Sequence, residues 1–152
     1  MTEVRFYHLT RKTLEQALPE LLEKTLERKE RAVVITGSDE RAESLTQYLW
    51  TYRPDRFLPH GNAKDGHAER QPVWITSKDE RPNNAVYLFL TDGAASTQMD
   101  AYKRVCDLFN GNDDTAVAAA RTRWKEAEKT GHTLTYWQQT DTGWIDATPK
   151  RD

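Results

Sequence analysis

Two short strand-like runs with a leucine-patterned stretch between them constrain this chain more than any other feature. Val4 to Leu9 alternates loosely and is the expected first strand. Leu14, Leu18, Leu21, Leu22 and Leu26 then recur at helical spacing, with Pro19 predicting a helix start or a kink. Arg31 to Thr36 is a short, mainly apolar run, the pattern of a parallel strand buried on both faces. Gly37-Ser38-Asp39-Glu40 predicts a turn with a helix N-cap, and Leu45, Tyr48 and Leu49 give the next helix an apolar side. Strand, helix, strand, helix is the grammar of an α/β fold with a parallel sheet.

The rest of the chain extends that pattern. Thr51 to Gln71 is a long connection carrying Pro54, Pro59, Gly61 and Gly66, and long ordered loops in small domains are often functional. Pro72 to Thr76 and Ala85 to Leu90 are expected strands separated by a polar turn. Tyr102 to Phe109 is ambiguous by periodicity, and a strand at Arg104 to Phe109 is expected in part from the family resemblance given below. Asn110 to Asp114 launches a long helix over Thr115 to Thr130, with Asp113 and Asp114 at its positive end. Gly131 stands where a left-handed C-terminal cap is wanted, and Thr133 to Trp137 is β-branched and aromatic like a strand. Asp141-Thr142-Gly143 predicts a turn that returns Trp144-Ile145 antiparallel. No repeat or second domain is visible, so residues 1–152 are expected to form one domain.

Composition narrows function. Charged residues are 30% of the chain, hydrophobic residues 37%, and the net charge is −2. Binders that rely on neutralising phosphates are usually basic, so a DNA connection is expected through another protein. The single cysteine, Cys106, allows no internal disulfide and is expected as a small core residue. No apolar run reaches transmembrane length, and no secretory leader pattern opens the chain, which predicts a cytoplasmic protein.

No catalytic constellation emerges. Thr36-Gly37-Ser38-Asp39 occupies a strand-to-helix turn where α/β proteins bind phosphate, but no glycine-rich phosphate loop is present. An N-cap by Ser38 or Asp39 explains the turn without a ligand. His8, His60, His67 and His132 form no i, i+4 pair and one cysteine makes no thiolate site, so no metal or cofactor is expected. His60 and His67 share the long loop, but nothing in their spacing makes them meet. Ser44 and Ser96 lack a nucleophile-elbow context.

Two surfaces remain. Trp50, Tyr52, Phe57 and Leu58 crowd a helix end and the loop after it. They complete the core on one reading and form a partner-binding patch on the other. On the last helix Arg121, Trp124 and Lys125 are spaced i, i+3 and i+4, which predicts one shared face. A guanidinium, an indole and an ammonium together suit an acidic, hydrophobic peptide. Pattern alone favours a solvated face of Arg121, Arg123, Lys125 and Lys129, with Trp124 in the core.

Three segments resemble the chi subunit of bacterial DNA polymerase III. They are Val4-Arg5-Phe6-Tyr7-His8-Leu9, the block Leu49-Trp50 through Arg53-Pro54, Phe57 and Pro59-His60, and Ala120-Arg121 through Trp137. The resemblance implies a three-layer, Rossmann-like α/β fold, related to mononucleotide-binding folds, with a mostly parallel sheet flanked by helices and no activity of its own. It implies a clamp-loader-associated accessory role in the replisome. The partner it implies is single-stranded DNA-binding protein, gripped by its acidic C-terminal tail. That tail ends in a hydrophobic residue with a free carboxylate. By motif matching, Arg121 takes the key tail-binding arginine's place, Trp124 the aromatic position and Lys125 a neighbouring basic one. Val117 stands where relatives often carry a basic residue, leaving Arg123 or Lys129 to supply the missing charge. Trp50 and Phe57 match a polymerase-side region that pairs with the psi subunit in some bacteria. Gln138 to Asp152 extends past shorter members. Two rivals remain: a nucleotide- or phosphate-binding enzyme using the Thr36–Asp39 turn, and direct single-stranded DNA binding.

Overall fold

The computed structural model describes residues 2–52 and 58–149. Seven strands form one sheet in the order β3-β2-β4-β5-β1-β6-β7. They are β1 (Glu3–Leu9), β2 (Ala32–Ile35), β3 (Val73–Thr76), β4 (Tyr87–Leu90), β5 (Arg104–Asn110), β6 (Thr133–Gln139) and β7 (Trp144–Asp146). All pairings are parallel except β6 with β7. The helices are α1 (Leu14–Glu27), α2 (Asp39–Thr51) and α3 (Asp114–Glu128). This is the expected three-layer, Rossmann-like arrangement.

Period-two alternation sends side chains to two different cores. On one face Tyr7, Leu9, Val34, Phe89, Cys106 and Leu108 meet Leu18 and Leu22 of α1 and Leu45 and Leu49 of α2. On the other, Val4, Phe6, Val33, Leu88, Val105 and Phe109 meet Ala120 and Ala127 of α3. β2, β3 and β4 are buried at every position because both faces are covered, which is why they read as continuous apolar runs.

Local chemistry sets the helix ends. Thr13 and Gln16 make a capping box for α1, Ser38 Oγ accepts from the Arg41 amide at the start of α2, and Asp113 accepts from Thr115 and Ala116 at the start of α3. Pro19 lies inside α1 without ending it. Gly131 adopts φ +80° just after α3, the left-handed turn its position predicted. The predicted return strand forms, as Gln139↔Trp144 and Gln138↔Ile145 pair antiparallel. Cys106 is buried, and burial raises its thiol to about pKa 12. No helix among the described residues is long and apolar enough to cross a membrane.

Candidate partner-binding site

Helix α3 lies against β1 and β5 through small residues, since only Ala120 and Ala127 of its length are buried. Trp124 is half-buried beside them. Its ring meets Phe6 edge-on at 5.2 Å and Tyr136 at 5.9 Å. The expectation of one shared exposed face is therefore met only in part. Arg121 and Lys125 are exposed, whereas Trp124 turns inward and forms a wall at the helix–sheet boundary. Val117, at the position where relatives often have a cation, packs on the same core.

Arg121 borders an aromatic floor supplied by the sheet. His8 and Tyr136 lie on neighbouring strands, and His8 Nδ1 is hydrogen-bonded to the Tyr136 hydroxyl at 2.5 Å. Phe109 of β5 completes the floor, 5.2 Å from His8 and 6.1 Å from Tyr136. Burial lowers the His8 pKa, and the Arg121 charge lowers it further. Burial raises the Tyr136 pKa, with Arg121 pulling it back. The guanidinium is thus within electrostatic reach of both groups. Gly111 makes this floor possible. A Cβ there would stand 1.9 Å from His8 Cδ2, so any side chain would displace the imidazole. Arg121 and Lys125 make no ion pair among the described residues, and their charges stay available.

Arg123 corrects a sequence-based expectation. It is not a reserve cation on a solvated face. Its Nε and Nη2 donate to the two oxygens of Asp107 at 2.6 and 3.0 Å, and the Asp107 side chain is 5% exposed. Burial pushes the Asp107 carboxyl up and Arg123 opposes that shift. The pair ties α3 to β5. Lys129 lies 3.6 Å from Glu126 in an exposed contact, so it is weakly held.

The extension beyond β6 borders the same region. The Ala147 amide donates to the Tyr136 carbonyl at 2.7 Å, and the Tyr136 amide to Thr148 Oγ1 at 2.9 Å. This pairing sets Thr148 and Pro149 beside Trp124 and Leu134 in a shallow groove. Gln139 holds another region together. Its Oε1 accepts from the amides of Thr10, Arg11 and Lys12, pinning the loop before α1.

The carboxyl ends of β1, β4 and β5 form the crevice where α/β folds hold ligands. Here the cleft measures about 660 Å³. Its polar groups are engaged within the chain. Asp92 accepts from the Gly37 amide at 3.1 Å, placing a carboxylate where a phosphate would cap α2. Arg41 bridges that carboxylate and Glu15, at 3.2 and 3.3 Å. The other two helix starts are capped as described.

The long connection divides as its residues allow. Leu58 is buried, Tyr52 is half-buried against the core, and Trp50 remains 43% exposed at the end of α2. The Trp50 ring packs on His60 at 4.2 Å. Each nitrogen of buried His60 sits against a backbone carbonyl, of Leu58 at 2.6 Å and of Thr46 at 2.9 Å. His67 heads a short helical turn, and no metal-holding cluster occurs among the described residues. Arg53, Pro54 and Phe57 lie outside the described residues.

The family model for the DNA polymerase III chi subunit, HolC, matches residues 1–135. A probable DNA polymerase III subunit chi from Rickettsia prowazekii (strain Madrid E) is 32% identical over 108 residues. That match covers 69% of this chain and 66% of the relative. The chain belongs to the DNA polymerase III chi subunit family.

Proposed function

We propose that this member of the chi family is a non-catalytic accessory subunit of the DNA polymerase III assembly. It links the replicase to single-stranded DNA-binding protein by holding that protein's acidic C-terminal tail. The observation that carries this reading is Arg121: exposed, without an ion pair among the described residues, and with its charge felt by His8 and Tyr136 of the His8–Tyr136–Phe109 floor. A guanidinium binds a terminal carboxylate in bidentate fashion, and aromatic walls take up the tail's hydrophobic end. Lys125, one turn further along α3, attracts the tail's acidic residues and speeds encounter. Trp50 is the described part of a second surface, which faces a polymerase-side, psi-like partner.

The nucleotide-enzyme rival is weakened by the crevice itself. Side chains of the chain already cap all three helix starts, and an internal carboxylate fills the α2 phosphate position. Titration with nucleotides is expected to show no saturable binding.

Calorimetry with an acidic tail peptide tests the proposal. Wild-type protein is expected to bind a peptide ending in a hydrophobic residue with a free carboxylate. Arg121→Ala should weaken binding by about 1.5–3 kcal/mol, the scale of a hydrogen bond to a charged group. Amidating the peptide should cost the wild type a similar amount and the variant less. Equal affinity of the two proteins, with both folded, would remove Arg121 from the site.

A further inference from the structure

The strongest feature outside the proposed tail site lies on the opposite face of the sheet. A cleft of about 170 Å³ opens between the C-terminal half of α1 and the sheet, over β4, β5, β1, β6 and β7. Arg5, Arg104, Lys24 and Arg28 line it, together with Trp137 and Trp144, and none of its lining residues is a carboxylate. This is a local basic site on a chain of net charge −2.

The cleft is built rather than accidental. Register places Tyr87 opposite Arg104 and Arg104 opposite Glu3 across three strands. Glu3 bridges Arg104 and Arg5 at 2.7 and 3.0 Å. The Arg104 guanidinium lies 5.1 Å from the Tyr87 ring centre, and that of Arg5 lies 5.5 Å from Trp137. The Arg5 and Arg104 side chains are 25% and 19% exposed. Both planar forks are therefore held in place before any ligand arrives. From α1, Arg28 reaches across to the Tyr87 hydroxyl at 3.1 Å. Lys24 and Arg28 are exposed and make no ion pair among the described residues. Trp144 is fixed edge-on against Tyr7 at 5.0 Å.

We propose that this cleft is a contact site for the backbone of single-stranded DNA, with a phosphate between Arg104, Arg28 and Lys24 and a neighbouring base against the Trp137–Trp144 wall. Cations beside indoles are the combination that single strands require, because every nucleotide offers an anionic group and a flat one. The cleft's volume suits one phosphate and its sugar rather than several residues of an acidic peptide. Family membership supplies the setting, since an assembly that copies DNA works beside single strands. The contact is independent of the tail site, which lies on the other face. With so few cations and an acidic chain around them, it is weak and salt-sensitive, an addition to the protein-mediated link.

Fluorescence anisotropy with a labelled thymidine oligonucleotide at low salt tests it. The wild type is expected to bind saturably and to lose affinity as salt rises. Lys24→Glu with Arg28→Glu should weaken binding roughly tenfold or more. The neutral pair Lys24→Gln with Arg28→Gln gives a smaller loss in the same direction and serves if charge reversal impairs folding. Arg121→Ala should leave the oligonucleotide affinity unchanged, while both α1 pairs should keep full tail-peptide affinity. Absence of binding to the oligonucleotide, or equal affinity of the α1 variants and wild type, overturns the proposal. So does a loss that follows Arg121, which would move the DNA contact to α3. Preferential displacement of the oligonucleotide by a polyglutamate peptide would mark the cleft as a site for an acidic protein instead.

Discussion

The two faces of the sheet are held by opposite means. On the α1–α2 face, Leu18, Leu22, Leu45 and Leu49 are all at most 2% exposed. On the α3 face, the helix buries only two alanines, and the partly buried Val117 and Trp124 and one ion pair do the rest. Leucine burial stabilises by about 1.5–3 kcal/mol per side chain, whereas alanine offers little area. The first pair of helices therefore carries more of the stability. Helix α3 is anchored at a few points, and that leaves Arg121 and Lys125 exposed.

The largest expected effect tests the ion pair that anchors α3. Arg123→Met strands the buried Asp107 carboxylate and should cost about 3–5 kcal/mol in urea unfolding. Replacing both partners, Asp107→Leu with Arg123→Met, should recover most of that loss. A small effect of the single change would mean that α3 is not held through this pair.

A pair of helix substitutions addresses the contrast itself. Leu22→Ala on α1 should cost about 2–5 kcal/mol, because the surrounding core collapses only partly. Ala120→Gly on α3 should cost about 1 kcal/mol, mainly through backbone entropy. Equal losses would break the comparison between the faces.

Arg121→Ala separates recognition from stability. Unfolding free energy should stay within about 0.5 kcal/mol of wild type, as for an exposed side chain without a structural partner. A larger loss would make Arg121 a structural residue of α3.

The smallest expected effect concerns His8. Burial and the Arg121 charge lower its folded-state pKa below the ordinary value of 6.5. Between those two values the unfolded chain binds more protons than the folded one. The His8 contribution to stability is thus complete above about pH 6.5 and falls as pH drops towards the folded value. Proton NMR should place the imidazole midpoint below 6.5 and move it upward in Arg121→Ala. An unmoved midpoint would separate the guanidinium from the aromatic floor.

Local signals in the sequence determined much of this protein. Apolar patterning marked β1, α1, β2 and α2, Ser38 or Asp39 marked the cap of α2, Asp113 and Asp114 marked the positive end of α3, and Gly131 marked its other end. These features depend on neighbours a few residues away, so they survive without knowledge of the fold. The same reasoning could not assign a partner to Arg123, whose mate Asp107 lies on another element. Nor could it join His8 to Tyr136, 128 residues apart. Gly111 gave no sign that an imidazole would rest against it. The basic cleft was hidden for the same reason, because Arg5, Lys24, Arg104 and Trp144 belong to four different elements. Only the strand order, with β1 between β5 and β6, brings these groups together. That order is set by crossover connections and by two-sided packing, which act on the whole chain at once and leave no mark on any single stretch of it.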